Sequence, residues 1–195
     1  MKISKIKRVI IFVIFTVLLN FCTSQHQQKK ELYSPVIALL TDWGESDFYS
    51  GAVKGVILSI NNNVKILDIS HNIPSFDIRQ ASAQLYFSSR EFPEGTIFIA
   101  DVDPEPGMSR PILVKTRDKK YFIGPDNGIF TLIYEHLKVD KIIHLTNKQY
   151  MVKGKPAFTF FGRDVFASVS AWLSRGISIE KFGEEIKDPV KFKII

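Results

Sequence analysis

The sequence predicts an α/β domain, a layered sandwich in which helices flank a mostly parallel central sheet. Short apolar runs typical of buried strands alternate along the chain with segments whose apolar residues recur at helical spacing. Turn-forming stretches such as 61–63 and 125–128 separate these segments. Alternation of this kind favours parallel strands joined by helices, and ligands bind such sheets at the carboxyl ends of the strands.

Each element follows from its own local pattern. The expected strands are 35–40, 64–69, 96–102, 111–116, 121–123 and 141–145, with a charged turn at 117–120. The expected helices are 46–60, 77–89, 127–136 and 164–174. Ser46 is the predicted N-cap of the first helix, and Gly176 is the predicted C-cap of the last.

The first 21 residues have the order of an export signal peptide. Four basic residues precede the apolar run 9–19, which is shorter than the roughly 20 residues that span a bilayer. The single cysteine, Cys22, follows directly, where a bacterial lipoprotein carries its lipidated residue. The prediction is an exported lipoprotein, anchored in the membrane through Cys22, with 22–34 as a polar tether. An uncleaved N-terminal anchor is the alternative.

Charge and composition exclude several function classes. Removal of residues 1–21 leaves 195 − 21 = 174 residues and 26 − 4 = 22 basic against 20 acidic side chains, a net charge of +2. No basic stripe with interleaved aromatics remains, so a nucleic-acid partner is not expected. One cysteine excludes an internal disulfide, and the histidines lack metal-ligand spacing, so no metal is expected. Glycine-rich phosphate loops and a GxSxG motif are absent from the sequence.

Polar residues, most of them acids, follow the apolar strand-like runs. They are Asp42, Asp47, Asp68, His71, Asp103 and Asp126. In a parallel sheet several of them would share one rim. Each also has a structural interpretation, because Asp42 or Asp47 could cap the next helix, Asp68 could orient a turn, and 125–128 is a strong turn signal.

Six blocks in a fixed order carry a family resemblance. They are TDWGESDFY (41–49), GAVKGVI (51–57), LDISHNIPSFDIR (67–79), FPEGTIFIADVDPEPG (92–107), GPDNG (124–128) and FTFFGRDVFA (158–167). Over about residues 36–187 the chain resembles the S-adenosyl-L-methionine (SAM) hydroxide adenosyltransferase family, which is related to fluorinase and chlorinase. The resemblance implies the family's N-terminal α/β domain at 35–187. It also implies hydrolysis of SAM to adenosine and L-methionine by in-line attack of water or hydroxide at the 5′ carbon.

The resemblance also implies roles for individual residues. It places Asp42 on the ribose hydroxyls, Asp47 at the methionine end and Phe76 against the ribose. It adds Asn127 and Gly162 to the substrate-binding set. No cofactor or metal is implied, because methionine leaves as a neutral thioether and SAM itself is the substrate.

The resemblance identifies Asp103 and Arg110, seven residues apart, as the pair that positions the water. A structural salt bridge at a strand end is the alternative for this pair. Asp103 argues against a halogenase, because the halide-using relatives carry tyrosine there. Phe161 stands where relatives have a histidine and cannot hydrogen-bond the water. Pro106 is a further departure, in a loop that contacts substrate in relatives.

The chain ends near the start of a second domain by the same resemblance. Residues 188–195 correspond to the start of a linker to a small β-rich C-terminal domain. In the family, the site forms between that domain and a neighbouring subunit of a trimer, so a homotrimer is implied. The alternatives to a hydrolase are a non-catalytic surface lipoprotein that binds a nucleoside or a protein, and a truncated inactive family member.

Overall fold

Seven strands form one sheet in the computed structural model, which describes residues 34–103, 108–152 and 160–194. They are β1 (Val36–Thr41), β2 (Lys65–Ser70), β3 (Ile97–Asp101), β4 (Pro111–Thr116), β5 (Tyr121–Pro125), β6 (Val139–Leu145) and β7 (Gly183–Glu185). Their order across the sheet is β2-β1-β3-β5-β4-β6-β7. The first four in that order pair in parallel, and β4, β6 and β7 join through antiparallel pairs. Five of the seven strands therefore run in one direction, which confirms the mostly parallel α/β sheet.

Apolar side chains cover both faces of this sheet. On β1, Ile37 and Leu39 enter one buried cluster, whereas Ala38 and Leu40 enter the other. Alternate residues of a strand point to opposite faces, so a continuous apolar run is what a strand buried on both sides requires.

Four α-helices lie among the described residues. They are α1 (Tyr49–Ile60), α2 (Ile78–Ser89), α3 (Thr131–His136) and α4 (Ser168–Ser174). A π-helical segment, Gly162–Ala167, leads directly into α4. Residues of α1, this π-helical segment and α4 share one buried cluster, whereas residues of α2 and α3 belong to the other. The helices therefore flank the sheet on both sides.

Several predicted helix boundaries are wrong for local reasons. The first helix begins at Tyr49, and its N-cap is Phe48 without a side-chain hydrogen bond, so Ser46 is not the cap. The third begins at Thr131 and not at residue 127, because Gly128, with φ +100°, first turns the chain. The predicted C-cap is confirmed: Gly176 has φ +87° and its N–H donates to the Leu173 carbonyl at 2.8 Å.

Two further differences concern the second half of the chain. The predicted helix 164–174 begins earlier, at Gly162, and its first six residues are π-helical. The sequence did not predict β7, because a three-residue edge strand of glycine and two glutamates carries no apolar alternation.

No helix among the described residues is long and apolar enough to cross a membrane. The predicted signal peptide (1–21), Cys22, the tether up to residue 33, and Pro106 lie outside the described residues.

Candidate active site

The carboxyl ends of β1, β2, β3 and β5 meet at one edge of the sheet, and this edge is called the rim. It carries Asp42, His71, Asp101, Asp103 and Asp126, each at or directly after the end of one of these strands. The parallel register places Thr41, which ends β1, beside Asp101 on β3. Four carboxyl groups from three neighbouring strands thus gather on the side of the sheet where α/β proteins bind ligands.

Asp42 holds the loop that presents Phe76. Its Oδ2 accepts a hydrogen bond at 2.9 Å from the Phe76 N–H. Phe76 has a backbone φ of +66°, which is a costly conformation for a residue other than glycine. The residue is also 57% exposed to solvent. Burial raises the pKa of Asp42, the Phe76 N–H opposes that shift, and the charge of Asp103 adds to it.

Asp103 and Asn127 lie side by side on the rim. The Asn127 amide donates to the Val102 carbonyl at 2.9 Å and more weakly to Oδ1 of Asp103 at 3.5 Å. Ser109 Oγ donates to the same carboxylate oxygen at 3.4 Å. The Asn127 side-chain oxygen accepts from the Ile129 N–H at 3.1 Å, which fixes the orientation of the amide. The structure thus brings together two residues that the sequence placed in the site.

A cleft of about 310 Å³ opens beside Asn127. Its walls are formed by Phe76, Asp77, Ile78, Arg79, Asn127 and Phe192. Phe76 and Asn127, which the sequence assigned to the substrate, therefore line one cleft. The segment 188–194 supplies another wall through Phe192, whose ring lies 4.6 Å from the Arg79 guanidinium.

Arg110 forms an ion pair with two carboxylates at the side of the rim. Its Nη2 and Nε donate to Oδ2 of Asp126 at 2.6 and 3.0 Å, and its Nη1 donates to the Asp188 carboxylate at 3.2 Å. The Asp126 side chain is only 1% exposed, and its other oxygen accepts from the Val190 N–H at 2.8 Å. This geometry matches the structural salt-bridge interpretation, although with partners other than Asp103.

Asp101 is a rim residue that the sequence reasoning missed. A Cβ atom added to Gly162 would lie 2.5 Å from its Oδ2, so its carboxyl packs directly against that glycine. Burial, joined by the negative charges of Asp103 and Asp42, raises the pKa of Asp101 to about 8. The repeated acid in the sequence Asp-Val-Asp was the available signal, since alternate residues leaving a strand share a face.

The rings of Trp43, His71 and Phe160 pack together next to Gly162. The Trp43 ring stacks on the buried His71 ring at 6.3 Å, and Phe160 meets the indole edge-on at 5.7 Å. A hydrogen bond of 2.7 Å joins His71 Nδ1 to Thr41 Oγ1, and Nε2 lies 3.2 Å from the Asp68 carboxylate. These contacts hold the indole against Gly162, where an added Cβ would come within 2.6 Å of it.

Within the ranges that the structure describes, no group of three or more histidine, cysteine or acidic side chains is arranged to hold a metal ion. The chemistry available on the rim is that of carboxyl groups, an amide and aromatic rings. Such a set can bind ribose hydroxyls, attract a cation and accept a proton.

A family model matches this architecture. The model for the SAM hydroxide adenosyltransferase N-terminal domain covers residues 37–183. The chain belongs to the SAM hydroxide adenosyltransferase family.

Named relatives of this family member include hydrolases and halogenating enzymes. A (R)-S-adenosyl-L-methionine hydrolase of Methanocaldococcus jannaschii is 38% identical over 168 residues, which cover 82% of this chain and 62% of the relative. A fluorinase of Actinoplanes is 25% identical over 178 residues, which cover 80% of this chain and 59% of the relative. The chain spans about three fifths of the length of the curated relatives that it matches.

The solved structures include a near match in fold. An uncharacterized conserved protein from Thermotoga maritima superposes with a TM-score of 0.80 at 39% identity, covering 82% of this chain and 62% of that one.

Asp47 and Phe161, which the family resemblance singled out, make their contacts away from the acids of the rim. Asp47 is exposed and accepts a hydrogen bond from the adjacent Phe48 N–H at 2.6 Å, so it does not cap α1. Phe161, where the family resemblance places a histidine, meets Phe166 edge-on at 6.3 Å and packs against the apolar core. Gly162, next to Phe161, is buried against Asp101, as described above.

Proposed function

We propose that this chain, which matches the family's N-terminal domain, hydrolyses SAM to adenosine and L-methionine. The observation that carries the proposal is the gathering of Asp42, Asp103 and Asn127 on one rim. This rim belongs to a chain that is 38% identical to a named SAM hydrolase. A carboxylate-rich rim suits a substrate whose reacting carbon is bonded to a sulfonium cation.

The rim and three further residues have separate roles in the proposed reaction. Asp42 binds the ribose hydroxyls and Phe76 packs against the sugar, which together orient the 5′ carbon. Asp47 binds the ammonium group of the methionine end, and the absence of a side chain at Gly162 leaves space beside the reacting centre. Asp103 and Asn127 hold the attacking water by hydrogen bonds.

The bond changes need no separate cofactor. The water oxygen forms a bond to the 5′ carbon while the carbon–sulfur bond breaks, and the electron pair of the broken bond passes to sulfur. Methionine leaves as a neutral thioether, so the protein supplies orientation and a proton acceptor. A carboxylate at Asp103, where halide-using relatives carry tyrosine, favours water over a halide ion.

The proposal extends to location and assembly. We infer an exported lipoprotein anchored through Cys22, because a basic, an apolar and a polar segment follow one another in residues 1–33. We also infer a homotrimer in which a neighbouring subunit completes the site. No nucleic acid takes part in this function.

Turnover tests the proposed reaction. The purified chain should release adenosine and methionine in equal amounts from SAM. Asp103→Asn should slow the release by about 100-fold or more, because the negative charge at the water is lost and an amide oxygen accepts a weaker hydrogen bond than a carboxylate. The control Asp140→Asn changes an acid at the opposite edge of the sheet and should keep the wild-type rate. Adenosine formation no faster than in buffer would rule the proposed reaction out.

A non-catalytic nucleoside-binding protein is the second candidate. The ion pairs of Arg110 with Asp126 and Asp188, and the packing of Phe161 in the core, favour it. Calorimetry and the turnover assay together decide between the two candidates. A non-catalytic binding protein would bind adenosine in the calorimeter but would not convert SAM. Rapid turnover would exclude this candidate.

A further inference from the structure

Asp101 lies in the middle of the rim. It ends β3, which lies between β1 and β5, and the first four residues of that strand are buried whereas Asp101 is partly exposed. Strand register sets it beside Thr41, the residue that precedes Asp42. The carboxyl of Asp101 therefore stands where the apolar sheet interior meets the open edge of the site.

Gly162 packs closely against both Asp101 and Trp43. A Cβ atom on Gly162 would lie 2.5 Å from Oδ2 of Asp101 and 2.6 Å from the Trp43 ring. Only a residue without a side chain fits between the indole and the carboxyl at this spacing. The neighbour of this glycine is Phe161, at the position where the family resemblance places a histidine.

Other groups near the rim are poorly suited to accept a proton from water. Arg110 already donates to Asp126 and Asp188, and a guanidinium does not act as an acceptor. Phe161 has no polar atom. Asp103 receives hydrogen bonds from Ser109 and Asn127 on Oδ1, which suits it to orient the water.

We propose that Asp101 is a further catalytic residue, whose carboxylate accepts the proton of the attacking water. This inference rests on the proposed hydrolysis of SAM. As the water oxygen bonds to the 5′ carbon, the electron pair of the carbon–sulfur bond passes to sulfur and the proton passes to Asp101. The proton then leaves to solvent after adenosine and methionine have formed.

The ionisation of Asp101 fits this role. Burial and the charges of Asp103 and Asp42 raise its pKa to about 8, and a general base works best when its pKa is near the working pH. Below that pH the group is mostly protonated and cannot act as a base, so the rate should rise with pH. A bound sulfonium should lower the pKa of Asp101, because an opposite charge favours the ionised form.

The neighbouring elements carry several other charged or titratable groups. They are Asp42 after β1, His71 after β2, Asp103 after β3, and Arg163 and Asp164 beside Gly162. His71 is hydrogen-bonded to Thr41, and Arg163 is paired with Asp164 at 2.6 Å. The two rim acids, Asp42 and Asp103, are therefore the groups whose charges act most strongly on Asp101.

The pH profile of adenosine formation is the first test. For the wild type, kcat/KM should rise with pH and level off above an apparent pKa near 8. Asp101→Asn should lower kcat by about 100-fold or more and lose this inflection, while SAM binds with nearly unchanged affinity. Asp118→Asn, in the turn between β4 and β5 at the opposite edge, should keep the wild-type profile.

Direct titration of the Asp101 carboxyl by NMR is the second test, and the Asp101→Asn variant identifies its signal. The pKa should be near 8 in the free protein, should fall when SAM binds, and should fall less with S-adenosylhomocysteine, which lacks the sulfonium charge. A wild type that turns over SAM while Asp101→Asn keeps its rate and profile would overturn this role and leave the hydrolysis intact. A wild type that releases no adenosine would overturn both.

Discussion

Replacing Asp126 with alanine is expected to destabilise the domain by about 2–4 kcal/mol. The buried Asp126 carboxylate accepts two hydrogen bonds from Arg110 and one from the Val190 N–H. Its removal leaves Arg110 with Asp188 alone and leaves the Val190 N–H without its acceptor. Urea unfolding, with equal m-values for the two proteins, measures the loss.

Asp140→Ala is the matched control for this substitution. Asp140 and Lys115 form an ion pair with the same 2.6 Å distance between nitrogen and oxygen, but the Asp140 side chain is 37% exposed whereas that of Asp126 is 1% exposed. Exposed pairs contribute little, so the control should lose no more than about 1 kcal/mol. Hydrogen exchange at Val190 should accelerate in Asp126→Ala alone. Equal losses of stability in the two variants would show that burial does not set the strength of the Asp126 pair.

Replacing Gly162 with alanine is expected to damage both stability and activity. The added Cβ would lie 2.5 Å from Oδ2 of Asp101 and 2.6 Å from the Trp43 ring, so one of these groups must move. Overpacking of this kind costs roughly 1–3 kcal/mol. Because displacement of the carboxyl disturbs the proposed proton acceptor, adenosine release should fall by about tenfold or more.

Gly55→Ala is the control for Gly162→Ala. Gly55 lies within α1, where an added Cβ has no neighbour within 4 Å. Alanine in a helix interior is more stable than glycine by roughly 0.5–1 kcal/mol, so this variant should unfold at higher urea. If Gly162→Ala matched the wild type in unfolding and turnover, the close packing between Gly162 and Asp101 would be disproved.

The strand pattern of this fold could be predicted because buried strands have a strong local signature. The runs in β1 and β3 are apolar on both faces, and turn-forming residues bound them. The helix starts were harder, because they depend on local hydrogen bonds. At α1 the carboxylate of Asp47 accepts a hydrogen bond from the adjacent Phe48 N–H, and the helix begins at Tyr49 without a side-chain cap.

The candidate site could be predicted where a residue follows a strand end or lies in a block that resembles the family. Asp42 and Asp103 follow strand ends, the resemblance added Asn127, and the structure places all three on one rim. The role of Asp101 depends on its approach to Gly162, a contact between residues 61 positions apart. Nothing in the local sequence reports that distance.

The ion pairs of Arg110 were equally hidden from the sequence. The spacing to Asp103 suggested one partner, whereas the fold brings Asp126 and the more distant Asp188 to the guanidinium. The register that pairs Pro111 with Pro125 sets Asp126 beside Arg110, whereas the segment 188–194 brings Asp188 to the same guanidinium.

The most direct test of the nucleoside site is a titration of the isotopically labelled chain with SAM, followed by NMR. We expect the largest amide shifts at Asp42, Asp103 and Asn127, with signals of free adenosine and methionine growing in the same sample. Lys119 and Asp140, at the opposite edge of the sheet, should keep their positions. Saturable shifts confined to that opposite edge, or no shifts at all, would contradict a SAM site on the rim.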